Sequence, residues 1–266
     1  MSASLIAATL IFAASGSAVA CRPIPGWDEI LANPSARWLV IGETHGNNES
    51  PDIFADAVCL TAQVRPVVVA VEHPDADQAA IDAFLASDGG EAAMQAFLTA
   101  DMWKTPDGRA SEATLRLFQR LRTMKQAGEI RAVIAFVPSR FARPYTQAEY
   151  EERMANRLEE AAGSDATMLV LTGNVHAART EVPWEPHYLP MSGHLPISET
   201  VTLNIVTNGG STWACQGQPV SCGPMDLPAG RAQVDRGVVL DPENGGPFSG
   251  KLGVGAAATA SEPEQP

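Results

Sequence analysis

Short apolar runs rich in β-branched residues recur along this chain, and segments with helical periodicity separate them. The predicted strands cover residues 37–41, 66–71, 131–137, 168–171, 201–206 and 237–240. The run at 66–71 reads PVVVAV, and a strand that is apolar at every position is typical of a parallel sheet covered on both faces. The alternation therefore predicts an α/β fold, with a mostly parallel sheet and helices on both faces.

The segments between the runs carry helical signals. The predicted helices cover residues 52–64, 77–86, 91–98, 112–126 and 146–162. The last begins with a capping box, in which Thr146 precedes Glu149 by three positions, and it stops at Gly163. Residues 183–196 are rich in proline and predict an irregular loop. Because no repeat or linker interrupts 22–241, we expect a single domain.

The two ends of the chain differ in composition from this domain. Residues 1–20 contain no charged side chain and end in Ala18-Val19-Ala20, which predicts a secretory signal peptide; the alternative is a buried N-terminal helix. The α/β domain is then expected over 21–242. Residues 243–266 are rich in Gly, Ala, Pro and Glu and predict a disordered tail.

The four cysteines are Cys21, Cys59, Cys215 and Cys222. In an exported chain they fit two disulfides, for which three connectivities exist. Cys215 and Cys222 are close enough in sequence to close a small loop, which would leave Cys21 with Cys59. Alternatively, Cys21 directly follows the predicted cleavage site and carries a lipid, which makes the protein a lipoprotein and leaves Cys59 over.

The charge balance narrows the range of partners. Charged residues make up 18% of the chain and the net charge is −13, so no basic stripe is available for a nucleic acid or an anionic lipid surface. We expect a small-molecule or peptide substrate, with membrane attachment only through a lipid on Cys21. The expected location is the periplasm or the cell envelope.

Polar side chains follow several of the predicted strands. Glu43 and His45 follow the first strand, Glu72 the second, Arg140 the third and His176 the fourth. Ligands of open α/β sheets bind outside the carboxyl ends of the strands. A single histidine at a strand end is more often a capping or solvent-facing residue, but four strand exits that deliver such groups to one edge predict a site.

This set of residues suits two chemistries. A carboxylate beside an imidazole raises its basicity for proton abstraction, which makes Glu43, His45, Glu72, His176 and Arg140 the candidate catalytic residues. The first four could instead bind a divalent metal through neutral imidazole and carboxylate groups. The sequence has no G-x-S-x-G, no phosphate-binding loop, no G-x-G-x-x-G and no H-E-x-x-H.

Two G-x-x-H elements, at 42–45 and 173–176, resemble those of the superfamily that unites erythromycin esterases, ChaN-like haem-binding lipoproteins and Tiki/TraB proteins. Glu72 is similar to an acid of that superfamily. The segment 151–155 looks like the D-x-x-M-A segment of ChaN-like members, with Glu151 in place of the Asp, and Val182-Pro183 also looks like that subgroup. The resemblance covers roughly residues 36–241 and is strongest to the ChaN-like proteins.

The resemblance implies two alternative functions. As in the esterase branch, His45 would be a general base or ligand, Glu43 and Glu72 its carboxylate partners, and His176 a second base or ligand in an ester or amide hydrolase. As in the ChaN branch, the protein would bind haem at the envelope without catalysis; the tyrosines are Tyr145, Tyr150 and Tyr188. A scaffold that binds a partner protein is the third alternative.

Overall fold

The computed structural model describes residues 21–139, 145–163, 165–243 and 245–264. The predicted signal peptide and Arg140 lie outside these described residues. The strands are β1 Trp38–Glu43, β2 Val67–Pro74, β3 Ala132–Val137, β4 Thr167–Gly173, β5 Thr200–Val206, β6 Gly210–Gln216, β7 Ser221–Leu227, β8 Gly237–Leu240 and β9 Gly250–Gly253. The helices are α1 Trp27–Leu31, α2 Glu49–Ala62, α3 Gln78–Ala86, α4 Glu91–Leu98, α5 Glu112–Gln126, α6 Gln147–Ala161 and α7 Asn174–Ala177.

Among the described residues, seven strands form one sheet in the order β3-β2-β4-β1-β5-β9-β8. The pairings are parallel from β3 to β9, and β8 runs antiparallel to β9 at the edge. The predicted α/β fold with a mostly parallel sheet is confirmed. All six predicted strands are present, and each of the five predicted helices is found within three residues of its predicted bounds.

Helices cover both faces of the sheet, as the fully apolar strands predict. On one face the core includes Phe54 of α2 and Phe118 of α5, and on the other it includes Met154 and Leu158 of α6. The capping box of α6 is present, with Thr146 and Glu149 bonded to each other's backbone amides. Burial of these apolar stripes, at about 25 cal/mol per Å² of apolar surface, is the main force that holds the helices on the sheet.

Strand register brings the predicted site residues together. β4 lies between β1 and β2, and Glu43 at the end of β1 is level with Gly173 at the end of β4. On the other side of β4, Val71 is level with Leu171, and the carboxylate of Glu72 accepts hydrogen bonds from Thr172 and Gly173 of β4. Two acids thus flank the carboxyl end of β4, directly before α7.

The C-terminal part of the chain corrects the sequence-based prediction. The predicted disordered tail spans 243–266, and its described residues 245–264 are ordered instead, because β9 pairs with both β5 and β8 inside the sheet. Further along, Ser261 donates its amide to the Gly46 carbonyl. The composition hid this role because β9 reads GKLG and lacks the apolar alternation of a strand.

Two disulfides link the four cysteines, as predicted: Cys21–Cys59 and Cys215–Cys222. A sulfur that is part of a disulfide cannot also carry a thioether lipid, so this pairing favours the disulfide alternative for Cys21. Disulfides are typical of proteins outside the reducing cytosol. In the described part of the chain, the helices all fall short of the length and apolarity that a bilayer crossing requires.

Candidate active site

Glu72 is the central residue of the site. Its Oε2 accepts hydrogen bonds from Thr172 Oγ1 at 2.7 Å and from the Gly173 amide at 2.6 Å, and both donors come from the neighbouring strand β4. These bonds fix one carboxylate oxygen against the sheet. The carboxylate remains within 4 Å of two imidazoles, since Oε2 lies 3.6 Å from His45 Nε2 and Oε1 lies 3.9 Å from His176 Nε2.

His45 lies between two carboxylates. Its Nδ1 is 2.9 Å from Glu43 Oε1, which is a hydrogen-bond distance. Its Nε2 faces Glu72 at 3.6 Å, which is longer than a hydrogen bond. Glu43 is the last residue of β1 and His45 lies in the bend that follows, and their side chains meet, as the two-residue spacing predicts.

A second imidazole–carboxylate pair stands across Glu72. His176 Nδ1 lies 2.8 Å from Glu151 Oε2, and Glu151 is fully buried. The Met191 amide and the Gln147 side chain also donate to Glu151, so this carboxylate is held in place by three elements. Each histidine thus has its Nδ1 on its own glutamate and its Nε2 toward Glu72.

Close packing at glycines makes this arrangement possible. A Cβ on Gly42 would lie 2.8 Å from Ala177 Cβ and 3.0 Å from Asn174 Cα, so a glycine lets α7 lie directly on β1. Gly42 is therefore a strand residue that permits close approach. Gly46, in contrast, has a φ of +85°, which favours glycine.

A small cavity opens beside His45 and Glu72. Its volume is about 20 Å³, which is the room that one water molecule needs, and Arg109 forms part of its wall. Arg109 Nη1 lies 3.5 Å from Glu72 Oε1. Glu43 Oε2 is buried and, among the described residues, has no hydrogen-bond partner. The site therefore offers an unsatisfied acceptor, a cation and space for a small donor.

The charges of the site determine which groups are ionised. Burial alone would lower the pKa of His45, but the charge of Glu72 and the hydrogen bond to Glu43 raise this pKa to about 10. Burial also opposes ionisation of Glu72, yet His45 and the Gly173 amide hold the pKa of Glu72 well below its usual range. The resting pair at neutral pH is an imidazolium beside a carboxylate.

His73 and His176 are perturbed in opposite directions. Burial, followed by the positive charge of Arg109, lowers the pKa of His73 to about 3, so this ring is neutral; it packs 5.7 Å from the Phe118 ring. Burial works against protonation of His176 as well, but its hydrogen bond to Glu151 prevails and raises its pKa. At neutral pH the His45 imidazole therefore carries a positive charge, and the pKa of His176, the other imidazole that faces Glu72, is raised.

The donor set does not form a recognisable metal centre. Within the described ranges, no three His, Cys, Asp or Glu side chains are arranged to hold an ion. The Nδ1 atoms of His45 and His176 bond to glutamates, as they also do in metal-ligating histidines, but Arg109 places a positive charge beside Glu72. A divalent cation would have to compete with that guanidinium, so the fit of Glu43, Glu72, His45 and His176 to a metal is poor.

The structure brings together four of the five predicted catalytic residues, Glu43, His45, Glu72 and His176; Arg140 lies outside the described residues. Sequence reasoning missed Arg109, which lies in a loop between helices and carries no motif. It also gave no role to Glu151, although the segment resembling D-x-x-M-A begins there. The acidic residue at the start of that segment, Glu151, was the signal in the sequence from which the partner of His176 could have been identified.

Comparison with solved structures supports the fold. A mutant of erythromycin esterase EreC in its open conformation aligns with a TM-score of 0.66 at 10% identity, covering 92% of this chain and 98% of that one. A succinoglycan biosynthesis protein aligns at 0.61 and 10% identity, covering 89% and 91%. The type III effector HopBA1 aligns at 0.50 and 14% identity, covering 91% and 99%.

The fold and the site together define the class of this chain: it is a single-domain α/β protein with a His/Glu site at the carboxyl edge of its sheet. More particularly, the chain has an erythromycin esterase-like fold, as the resemblance predicts. At this level of identity the likeness establishes the fold and not the activity. No model of a known protein family matches the sequence, and neither does any curated protein.

Proposed function

We propose that this chain is an exported hydrolase in which His45 and Glu72 activate water for attack on an ester or amide carbonyl. The observation that carries the proposal is the position of His45. Its ring is held between Glu43 and Glu72, and it borders a cavity of about 20 Å³ that Arg109 also lines. A water molecule there would be within reach of a base, a second carboxylate and a cation.

The chemistry follows from the protonation states. In the active form, His45 Nε2 is unprotonated and takes a proton from water, while the water oxygen bonds to the carbonyl carbon. The guanidinium of Arg109 stabilises the negative charge that develops on the carbonyl oxygen, and the raised pKa of His176 favours the same role for its imidazole. When the tetrahedral intermediate collapses, the proton passes to the leaving alcohol or amine, which yields the carboxylic acid and regenerates the imidazole.

Arg109 supports a mechanism without a metal. A guanidinium 3.5 Å from Glu72 supplies the positive charge that a zinc or magnesium ion supplies in other hydrolases. We therefore expect turnover to survive a strong chelator. Inhibition that a single divalent metal reverses, together with about one equivalent of that metal in purified protein, would contradict this part of the proposal.

The test is a panel of ester, lactone and peptide substrates with matched variants. We expect His45→Asn and Glu72→Gln each to lower kcat/KM at its alkaline plateau, where His45 is unprotonated in every variant that retains it, by at least about 100-fold, the usual minimum contribution of general-base catalysis. His187→Asn is the control, because His187 pairs with Glu185 in the proline-rich loop. Equal turnover by wild type and His45→Asn would overturn the proposal.

The pH profile gives a second test. Because the pKa of His45 is raised to about 10, its unprotonated form is a minor species at neutral pH. If His45 is the base, kcat/KM should rise about tenfold per pH unit above pH 7 and level off near the pKa. A profile that falls over this range would assign His45 the role of an acid.

The signal peptide and the periplasmic location belong to the same proposal. Two disulfides support an oxidising compartment. The haem-binding alternative stays a prediction. A saturable Soret shift at about one equivalent of haemin, without hydrolysis of any panel substrate, would favour it over the hydrolase.

A further inference from the structure

An antiparallel hairpin lies outside the large sheet and reaches the candidate site. It consists of β6 and β7, in which Cys215 is opposite Cys222 and the two are joined by a disulfide. β6 lies against two loops, the one after β1 that carries His45 and the one before α5 that carries Arg109. Neither loop is part of the sheet.

The hairpin bonds directly to the His45 loop. Thr212 is buried, and its Oγ1 donates a hydrogen bond to the His45 carbonyl. The Trp213 amide donates to the Gly46 carbonyl at 2.7 Å. A Cβ on Gly46 would lie 2.1 Å from the Trp213 carbonyl oxygen, so the two backbones are in contact and leave no room for a side chain.

Trp213 also meets the Arg109 loop. The Trp213 indole Nε1 donates to the Pro106 carbonyl at 3.1 Å. A Cβ on Gly108 would lie 2.2 Å from Gly46 Cα and 2.7 Å from the Trp213 carbonyl oxygen. Three backbone segments therefore pack against each other at this point, and Arg109 is the residue after Gly108.

We propose that Thr212 and Trp213 are positioning residues, which hold His45 and Arg109 at fixed distances from Glu72. The inference rests on the proposed function. Because catalysis requires reacting groups to be held within about 0.5 Å of their productive positions, a loop segment needs external bonds to do this. The hairpin supplies them to both loops at once, and its disulfide keeps the two strands paired.

The C-terminal segment fixes the base of the hairpin. The Ser211 amide donates to the Ala258 carbonyl, and the Ala260 amide donates to Ser211 Oγ. A Cβ on Gly210 would lie 2.0 Å from the Ala258 carbonyl oxygen, so these backbones are also in contact. The hairpin is thus anchored at one end by residues 258–260 and holds the site loops a few residues further along β6.

A pair of substitutions at Thr212 separates positioning from folding. Thr212→Val keeps the shape of the side chain but removes the hydroxyl donor to His45, whereas Thr212→Ser keeps that donor. We expect kcat to fall about 10- to 100-fold in Thr212→Val with little change in KM, and to recover in Thr212→Ser. Ser221→Ala, at the far end of the hairpin, is the control.

A spectroscopic measurement tests the same inference without turnover. With His45 protonated, its Nδ1–H donates to Glu43 Oε1, and such protons resonate far downfield in NMR spectra. Thr212→Val should shift or broaden this resonance, and Thr212→Ser should retain it. If the valine variant keeps both the resonance and kcat, Thr212 does not position His45 and the inference is wrong.

Trp213→Phe examines the second loop. The phenyl ring fills most of the indole site but cannot donate to Pro106, so we expect a loss of kcat in this variant as well. If wild type hydrolyses no panel substrate, the proposed function fails, while a lost downfield resonance in Thr212→Val still supports positioning by the hairpin. If wild type turns over and both variants match it, the hairpin inference fails alone.

Discussion

Replacing Glu72 by glutamine should lower the pKa of His45 by at least one unit. The two groups are 3.6 Å apart, and unit charges at this distance interact by about 5 kcal/mol at an effective dielectric constant of ~20. Since one pKa unit corresponds to about 1.4 kcal/mol, the full interaction is worth roughly three units. Exchange of a charge for an amide dipole, with partial screening by solvent, leaves an expected fall of one to three units.

The substitution should leave the fold intact. Glu72 Oε2 accepts from Thr172 and Gly173, and the amide oxygen of glutamine can accept the same two bonds. Its NH₂ group then takes the position of Oε1. His176 should respond less than His45, because the hydrogen bond to Glu151 contributes more to its raised pKa than the charge of Glu72 does.

NMR titration of the imidazole carbons in wild type and Glu72→Gln measures both values. Glu199→Gln is the control, because it removes a surface acid that pairs with Arg37, away from the site. An identical pKa of His45 in Glu72→Gln and in wild type would show that the charge of Glu72 does not raise this pKa. A larger pKa shift of His176 than of His45 would likewise show that Glu72 is not the main charge acting on His45.

The remaining predictions concern packing, pH and cross-links. Gly173→Ala should reduce kcat/KM by at least tenfold with little loss of stability, because its Cβ would lie 3.0 Å from His45 Nε2; steady-state kinetics and thermal unfolding measure the two effects. Folding raises the pKa of His45, so the contribution of His45 to the free energy of unfolding should be fully present below pH 6.5 and should be lost as the pH rises toward 10. Urea unfolding at several pH values measures this fall, and a flat profile would contradict it. Changing Cys21 and Cys59 to serine should cost up to about 4 kcal/mol in the same assay, since the disulfide closes a loop with a sequence separation of 38.

The parallel core could be predicted from the sequence because its signals are local. Strands such as β2 are apolar at every position, and helices such as α5 place their apolar residues on one face. The hairpin of β6 and β7 escaped prediction because its residues are mostly half-buried or exposed, so neither strand shows a clear apolar pattern. The short strand β9 is stabilised by its two neighbours rather than by its own composition.

Part of the site could also be predicted, because four of its residues lie directly after strands that have local signals. The position of Glu43, His45, Glu72 and His176 after predicted strands was enough to place them at one edge. Arg109 comes from a loop that no strand positions, and only the packing of Gly108 against Gly46 brings it to Glu72. That contact joins segments more than sixty residues apart in the chain, and no local pattern encodes it.

The sequence by itself determined the α/β fold, the positions of six strands along the chain and the placement of four polar groups at the carboxyl edge. It could do so because hydrophobic periodicity and strand ends are local features of a few consecutive residues. Only the tertiary structure decided which group faces which: that Glu72 lies between two imidazoles, that Glu151 supports His176, and that a disulfide-closed hairpin contacts both site loops. These relations depend on strand register and on backbone contacts between distant segments, where a shift of one residue would separate the charges.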